Sequence, residues 1–95
     1  MPEMRFSIQW PDAHIEECYS PSLVVKDHLV PGQSYSLADF RQRSHTALTI
    51  AAERVREKYG FACSRALGQL AHIEETAMRF EAIPDASVTV VSFKE

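Results

Sequence analysis

Cys63 is the residue best placed to do covalent chemistry. It lies just beyond one expected helix end and near the start of the next, where free N–H groups lower a thiol pKa and favour the thiolate nucleophile. Nucleophilic catalysis also needs a base held against the thiol. His45 and His72 are the candidates, and nothing in their spacing brings either to Cys63. The commoner fate of a free cysteine is to be buried as a small hydrophobe. With the second thiol, Cys18, and the phenols of Tyr19 and Tyr59, Cys63 makes up a candidate ligand site. Four such groups could engage a nitrile- or carbonyl-type substrate. No catalytic set is complete.

Two His/Glu pairs, His14 with Glu17 and His72 with Glu75, have the three-residue spacing that puts both groups on one helix face. A catalytic zinc needs three ligands on one point, and the sequence has neither Cys-x-x-Cys nor His-Glu-x-x-His. The pairs are therefore read as solvated polar residues, and no metal is expected. The segment His-Ile-Glu-Glu occurs at 14–17 and again at 72–75. Because the two copies fall in different structural settings, the recurrence is read as coincidence. The isolated Gly32, Gly60 and Gly68 build neither a P-loop nor a dinucleotide fingerprint, so no cofactor is expected. Gly68, inside a helix, costs about 1 kcal/mol relative to Ala; close helix packing or the approach of a ligand would account for it, and packing is the expected reason.

Arg41, Arg43, Arg54, Arg56, Lys58 and Arg65 gather positive charge in and after one helix, although the chain as a whole carries a net charge of -3. That balance speaks against a phosphate backbone as partner, hence against nucleic acid and a transcription regulator. The longest uncharged stretches are about ten residues, against the roughly 20 apolar residues needed to span a bilayer. No membrane span and no signal peptide are expected. The chain is expected in the cytoplasm, with both cysteines as free thiols.

The elements that would position these groups can be read from periodicity. Met4 to Trp10 alternates Met4, Phe6, Ile8 and Trp10 against Arg5, Ser7 and Gln9, the pattern of a half-buried strand. Trp10-Pro11-Asp12-Ala13 supplies a turn, and His14 to Tyr19 completes a hairpin. Whether Ile15 and Tyr19 or Cys18 face inward stays open. Over 21–29, a short helical turn capped at Ser20-Pro21 and a strand through Leu23-Val24-Val25 are equally good readings. Val30-Pro31-Gly32-Gln33 fits a type II turn.

Ser36 with Asp39 resembles a capping box opening a helix over 37–59. Its apolar side is Phe40, Ala47, Leu48, Ala51, Val55 and Tyr59, with Arg43 and Arg54 among the residues left to solvent. Gly60 suits the left-handed exit. At about 1.5 Å per residue this rod outreaches a core of this size, so one end should protrude or meet a partner. Ser64 caps a second helix through Leu67, Leu70, Ile73, Ala77 and Phe80, broken by Ile83-Pro84-Asp85. Ser87 to Phe93 is a strand with Val88 and Val90 on one face and Val91 and Phe93 on the other. It is either central, or an edge that pairs with a second copy.

Two stretches are more distinctive than their chemistry requires, Cys18-Tyr19-Ser20-Pro21-Ser22-Leu23-Val24-Val25 and Glu53-Arg54-Val55-Arg56-Glu57-Lys58-Tyr59-Gly60-Phe61-Ala62-Cys63-Ser64, and Arg5 to Asp12 accompanies them at the front. With these the chain resembles the small bacterial nitrogen-starvation response protein family, a group of about this length encoded beside a nitrilase. The resemblance implies a role in nitrogen limitation, next to nitrilase, acetyltransferase and radical-type enzymes acting on nitriles or cyanide. It supplies no catalytic residues. The family pattern would have Gly at position 13, where Ala13 would be strained.

The expected fold is therefore a single α+β domain over 1–95: a small antiparallel sheet, formed by the N-terminal hairpin and the C-terminal strand, with two helices on one face, in the order β-β-α-α-β. The expected function is a non-enzymatic accessory or interaction protein of a nitrilase-type gene cluster. It would act as a homodimer, or with protein partners from that cluster, through the long helix and the last strand. The rival is a small-molecule binder or enzyme using Cys18, Tyr19, Tyr59 and Cys63.

Overall fold

The structure is a computed structural model that describes residues 2–95. Strands β1 (Met4–Gln9) and β2 (Ile15–Ser20) lead through a 3-10 turn (Leu23–Asp27) to β3 (Ser34–Ser36). Helices α1 (Leu37–Tyr59) and α2 (Ser64–Met78) and strand β4 (Ser87–Lys94) follow. The sheet is antiparallel throughout in the order β2-β1-β4-β3. The small α+β class is as expected, with one strand more.

The hairpin turn closes as its residues dictate. Ala13 N–H donates to the Trp10 carbonyl at 2.9 Å, and Asp12 Oδ1 accepts from His14 N–H at 3.0 Å. Ala13 is left-handed at φ 72, a region that costs an L residue with a Cβ about 1 kcal/mol. The strain expected there from the missing Gly is present. In the next turn Gly32 takes φ 88, and Gln33 N–H donates to the Val30 carbonyl at 3.2 Å, as a type II turn requires.

The segment left open between helix and strand is the 3-10 turn. Its cap is Ser22, one step beyond the Ser20-Pro21 pair: Ser22 Oγ accepts from Val24 N–H at 3.3 Å, while Ser20 Oγ donates to the Ser22 carbonyl at 2.7 Å. These local bonds outcompete a strand ladder. They also let consecutive Val24 and Val25 both bury, which a strand would point to opposite faces.

β3 had no counterpart in the sequence reading, because Ser-Tyr-Ser offers a single apolar residue. Tyr35 is buried and its hydroxyl accepts from Val30 N–H at 2.9 Å. By pairing with Ser87–Thr89, β3 makes β4 internal, the central setting of the two considered. A bulge corrects the expected faces of β4. Ser7 pairs with Ser92 and Ile8 with Val90, so Val91 is the extra residue and the alternation resets after it. Phe93 returns opposite Phe6 on the core side, while Val91 stays exposed.

α1 starts and stops where capping demands. Ser36 Oγ accepts from Asp39 N–H at 3.1 Å, and Gly60 leaves at φ 85. Leu37, Phe40, Ala47, Leu48, Ala51, Ala52 and Val55 bury. Tyr59, expected on this side, is exposed instead, because α1 by then has run past the core. Arg43, expected in solvent, bonds Asp39 at 3.0 Å and the His28 carbonyl at 2.9 Å and lies over the Tyr35 ring. Arg54 likewise donates to Ser22 Oγ at 3.1 Å.

In α2 the cap position falls on Cys63 and not Ser64, and no side chain caps it. Ala66, Leu70, Ile73 and Ala77 face the core, and Leu67 points away. Phe80 lies beyond the helix end but still packs on the core. Arg41 ties the helices together, bonding Glu74 at 2.8 Å and Glu81 at 2.6 Å.

Candidate ligand-binding cleft

The register question at β2 is settled by pairing. Cys18 lies opposite Phe6, Ser20 opposite Met4 and Glu16 opposite Ile8, so these three share the helix side. Cys18 and Ser20 bury, while Glu16 comes at the end of the strand where cover thins. β2 is an edge strand, and α2 lies along it. Gln69 Oε1 accepts the Tyr19 backbone N–H at 2.9 Å, satisfying an edge donor that a ladder would otherwise take.

This arrangement sets Glu16 between two donors. Trp10 Nε1–H donates to Glu16 Oε1 at 2.8 Å, and His72 Nε2 meets Glu16 Oε2 at 2.5 Å. The Glu16 side chain is 19% exposed. Trp10 is itself immobilised, edge-on to Phe40 at 5.8 Å and stacked with Phe80 at 5.9 Å. The carboxylate is thus held on a rigid aromatic footing, with charge-assisted bonds stronger than neutral ones.

A cavity of about 370 Å³ opens here, lined by Trp10 and Phe80, by Glu16 and His72, and by Asp12, His14, Thr76 and Arg79 among others. Thr76, 7% exposed, also lines the cavity. Arg79 forms no ion pair among the described residues. A neighbouring depression shares Glu16 and His72 and adds Tyr19, Arg65, Gly68 and Gln69. A Cβ at Gly68 would meet nothing within 4 Å. Close helix packing, the reason expected for this glycine, is therefore not what the structure shows.

The four residues singled out in the sequence do not share one pocket. Cys18 is fully buried in the core, where burial first, and the charges of Glu16 and Glu17 after it, push its thiol well up. Tyr19 lines the neighbouring depression with Arg65 over its ring at 3.8 Å. Burial, and then a hydrogen bond and the charge of Glu3, push its phenol up, with Arg65 opposing. Tyr59 is exposed at the far end of α1 against Phe61. Cys63 is partly exposed at the start of α2 as anticipated. His72 stands nine residues along α2 from it, about 13 Å of helix, and His45 lies in the first half of α1.

Trp10, Glu16, Thr76 and Arg79, which line this candidate cleft, were not singled out in the sequence. The visible signal was the doubled His-Ile-Glu-Glu, whose copies turn out to supply His14, just ahead of β2, Glu16 from β2 and His72 from α2 to one cavity. The partners are Glu16 and His72 across elements, not the pairs at three-residue spacing. Among the described residues no group of three or more His, Cys, Asp or Glu is arranged to hold a metal ion. No helix among them is long and apolar enough to cross a membrane.

No curated protein and no solved structure matches the chain. The family model described as nitrogen starvation-induced protein NitG matches residues 5–93, nearly the whole fold including both walls of the cleft. The chain belongs to the nitrogen starvation-induced protein NitG family.

Proposed function

We propose that the protein serves the nitrogen-starvation response as a non-enzymatic accessory protein that binds a small polar molecule in the cleft between β2 and α2. The observation that carries this reading is Glu16, clamped between the Trp10 indole and His72 at the wall of a cavity that Thr76 and Arg79 also line. Preorganised polar groups on an aromatic floor are the usual make-up of a small-molecule site. A binding role is favoured over catalysis because burial pushes the Cys18 thiol up, and no hydrogen bond joins Cys63 to a base among the described residues. The indole resonance of Trp10 should shift when the protein is mixed with the small-molecule fraction of nitrogen-starved cells. An unmoved indole would contradict the reading.

A second reading, docking to protein partners encoded with a nitrilase, is favoured by the far end of the molecule. Tyr59 and Phe61 are 54% and 66% exposed there, with ring centroids 6.4 Å apart. Exposed aromatics of this kind are the residues that anchor interfaces. The last strand, expected to share in that surface or to pair with a second copy, lies inside the sheet, so the helix end carries this reading. Copurification of the nitrilase with the tagged protein, lost on Phe61→Ser, would support it; recovery of the tagged protein alone would remove it.

A further inference from the structure

We infer that the cleft takes a small zwitterion, a molecule carrying one ammonium and one carboxylate on a short apolar body, such as an α-amino acid. This rests on the cleft being a ligand site. Its lining holds groups of both charges: the carboxylates of Asp12, Glu16 and Glu17, and the guanidinium of Arg79, with the imidazoles of His14 and His72 among them.

Asp12, Glu16 and Arg79 each have unused capacity. A carboxylate has about four lone-pair sites; Glu16 spends one on Trp10 and one on His72. Asp12 spends Oδ1 on the His14 N–H and keeps Oδ2. Arg79 spends none of its donors on a carboxylate among the described residues, and a guanidinium is shaped to grip a carboxylate with two parallel bonds. The third acid of the wall, Glu17, is turned toward Arg5 at 3.8 Å and is less available.

The floor suits what lies between two such charges. Trp10 and Phe80 both line the cavity and stack on each other with ring centroids 5.9 Å apart, and Phe80, the less buried of the two, offers the apolar contact for the ligand body. Thr76 also lines the cavity, and its hydroxyl can donate to the ligand carboxylate or accept from its ammonium. A cavity of about 370 Å³ is at the small end for ligand sites, matching a molecule of amino-acid size.

The test compares three probes of nearly one shape by calorimetry: leucine with both charges, leucine amide with only the ammonium, and N-acetyl-leucine with only the carboxylate. Leucine should bind about tenfold or more tightly than either blocked form, the worth of one charge-assisted hydrogen-bonded contact. Arg79→Gln, at an exposed position outside the core, should bring leucine down to the level of the amide and leave the amide unchanged. Equal or tighter binding of the amide or of the N-acetyl form, or an Arg79→Gln protein that binds leucine as before, would overturn the inference. So would no binding of any probe. In that case a Trp10 indole that still responds to the metabolite fraction would leave the cleft standing with its ligand class wrong, and an indole that does not would remove both.

Discussion

The Trp10 indole N–H reaches Glu16 Oε1 at 2.8 Å, so the side chain just beyond β1 fixes the carboxylate that β2 delivers to the cleft. Replacing Trp10 by Phe keeps an aromatic against Phe40 and Phe80 but removes the donor. The variant should lose about 2 kcal/mol from the hydrogen bond to a charged acceptor plus some packing. It should also weaken ligand binding in the cleft. Urea denaturation checks the first effect, and an unchanged midpoint would mean that Glu16 does not need the indole.

Ala13→Gly should stabilise the chain. Ala13 sits at φ 72, and relief of left-handed strain exceeds the extra entropy that Gly gives the unfolded chain, for a net gain of about 0.5 kcal/mol. A thermal midpoint equal to or below that of the parent would contradict this.

Gly68→Ala should stabilise α2 by about 1 kcal/mol, since Gly is the poorer helix former and an added Cβ meets nothing within 4 Å. A loss of stability would mean that the helix has a constraint not visible in its surroundings.

Thiol reactivity should divide the cysteines. At pH 8 the native protein should release one equivalent in a colorimetric thiol assay, from Cys63, and a second from Cys18 only on unfolding. The same burial makes stability pH-dependent. Cys18 is pushed up in the folded chain, while an unfolded thiol releases its proton near about pH 8.5. Its contribution is therefore fully present below that pH and is lost as pH rises above it, by at most about 1.4 kcal/mol per unit. Cys18→Ala should show a shallower loss between pH 8 and 9.5; an identical slope would contradict the assignment.

What could be read from the sequence was what neighbouring residues decide. Ser36, Asp39 and Gly60 fix the limits of α1 within its own turns, and Pro31-Gly32 fixes its turn, so both are legible. The bulge at Val91 is not, because it follows from how β4 registers on β1. β3 is hidden because three residues around one Tyr have no periodicity, and its existence depends on an edge of β4 being free. The cleft was half legible. The repeated His-Ile-Glu-Glu marked the right strand and helix, but Glu16 meets His72 only after β2 and α2 lie side by side. The pairing at three-residue spacing that a single helix suggests is the wrong one. The family was legible from contiguous stretches, which need no fold to be seen.

The cleft as a ligand site is tested most directly by native mass spectrometry of the protein purified from nitrogen-starved cells, alongside the Glu16→Gln variant. The wild type should carry a small-molecule adduct and the variant should not, with both chains folded by circular dichroism. A wild-type chain at its bare mass, or the same adduct on both proteins, would contradict a binding role for the Trp10–Glu16–His72 cleft.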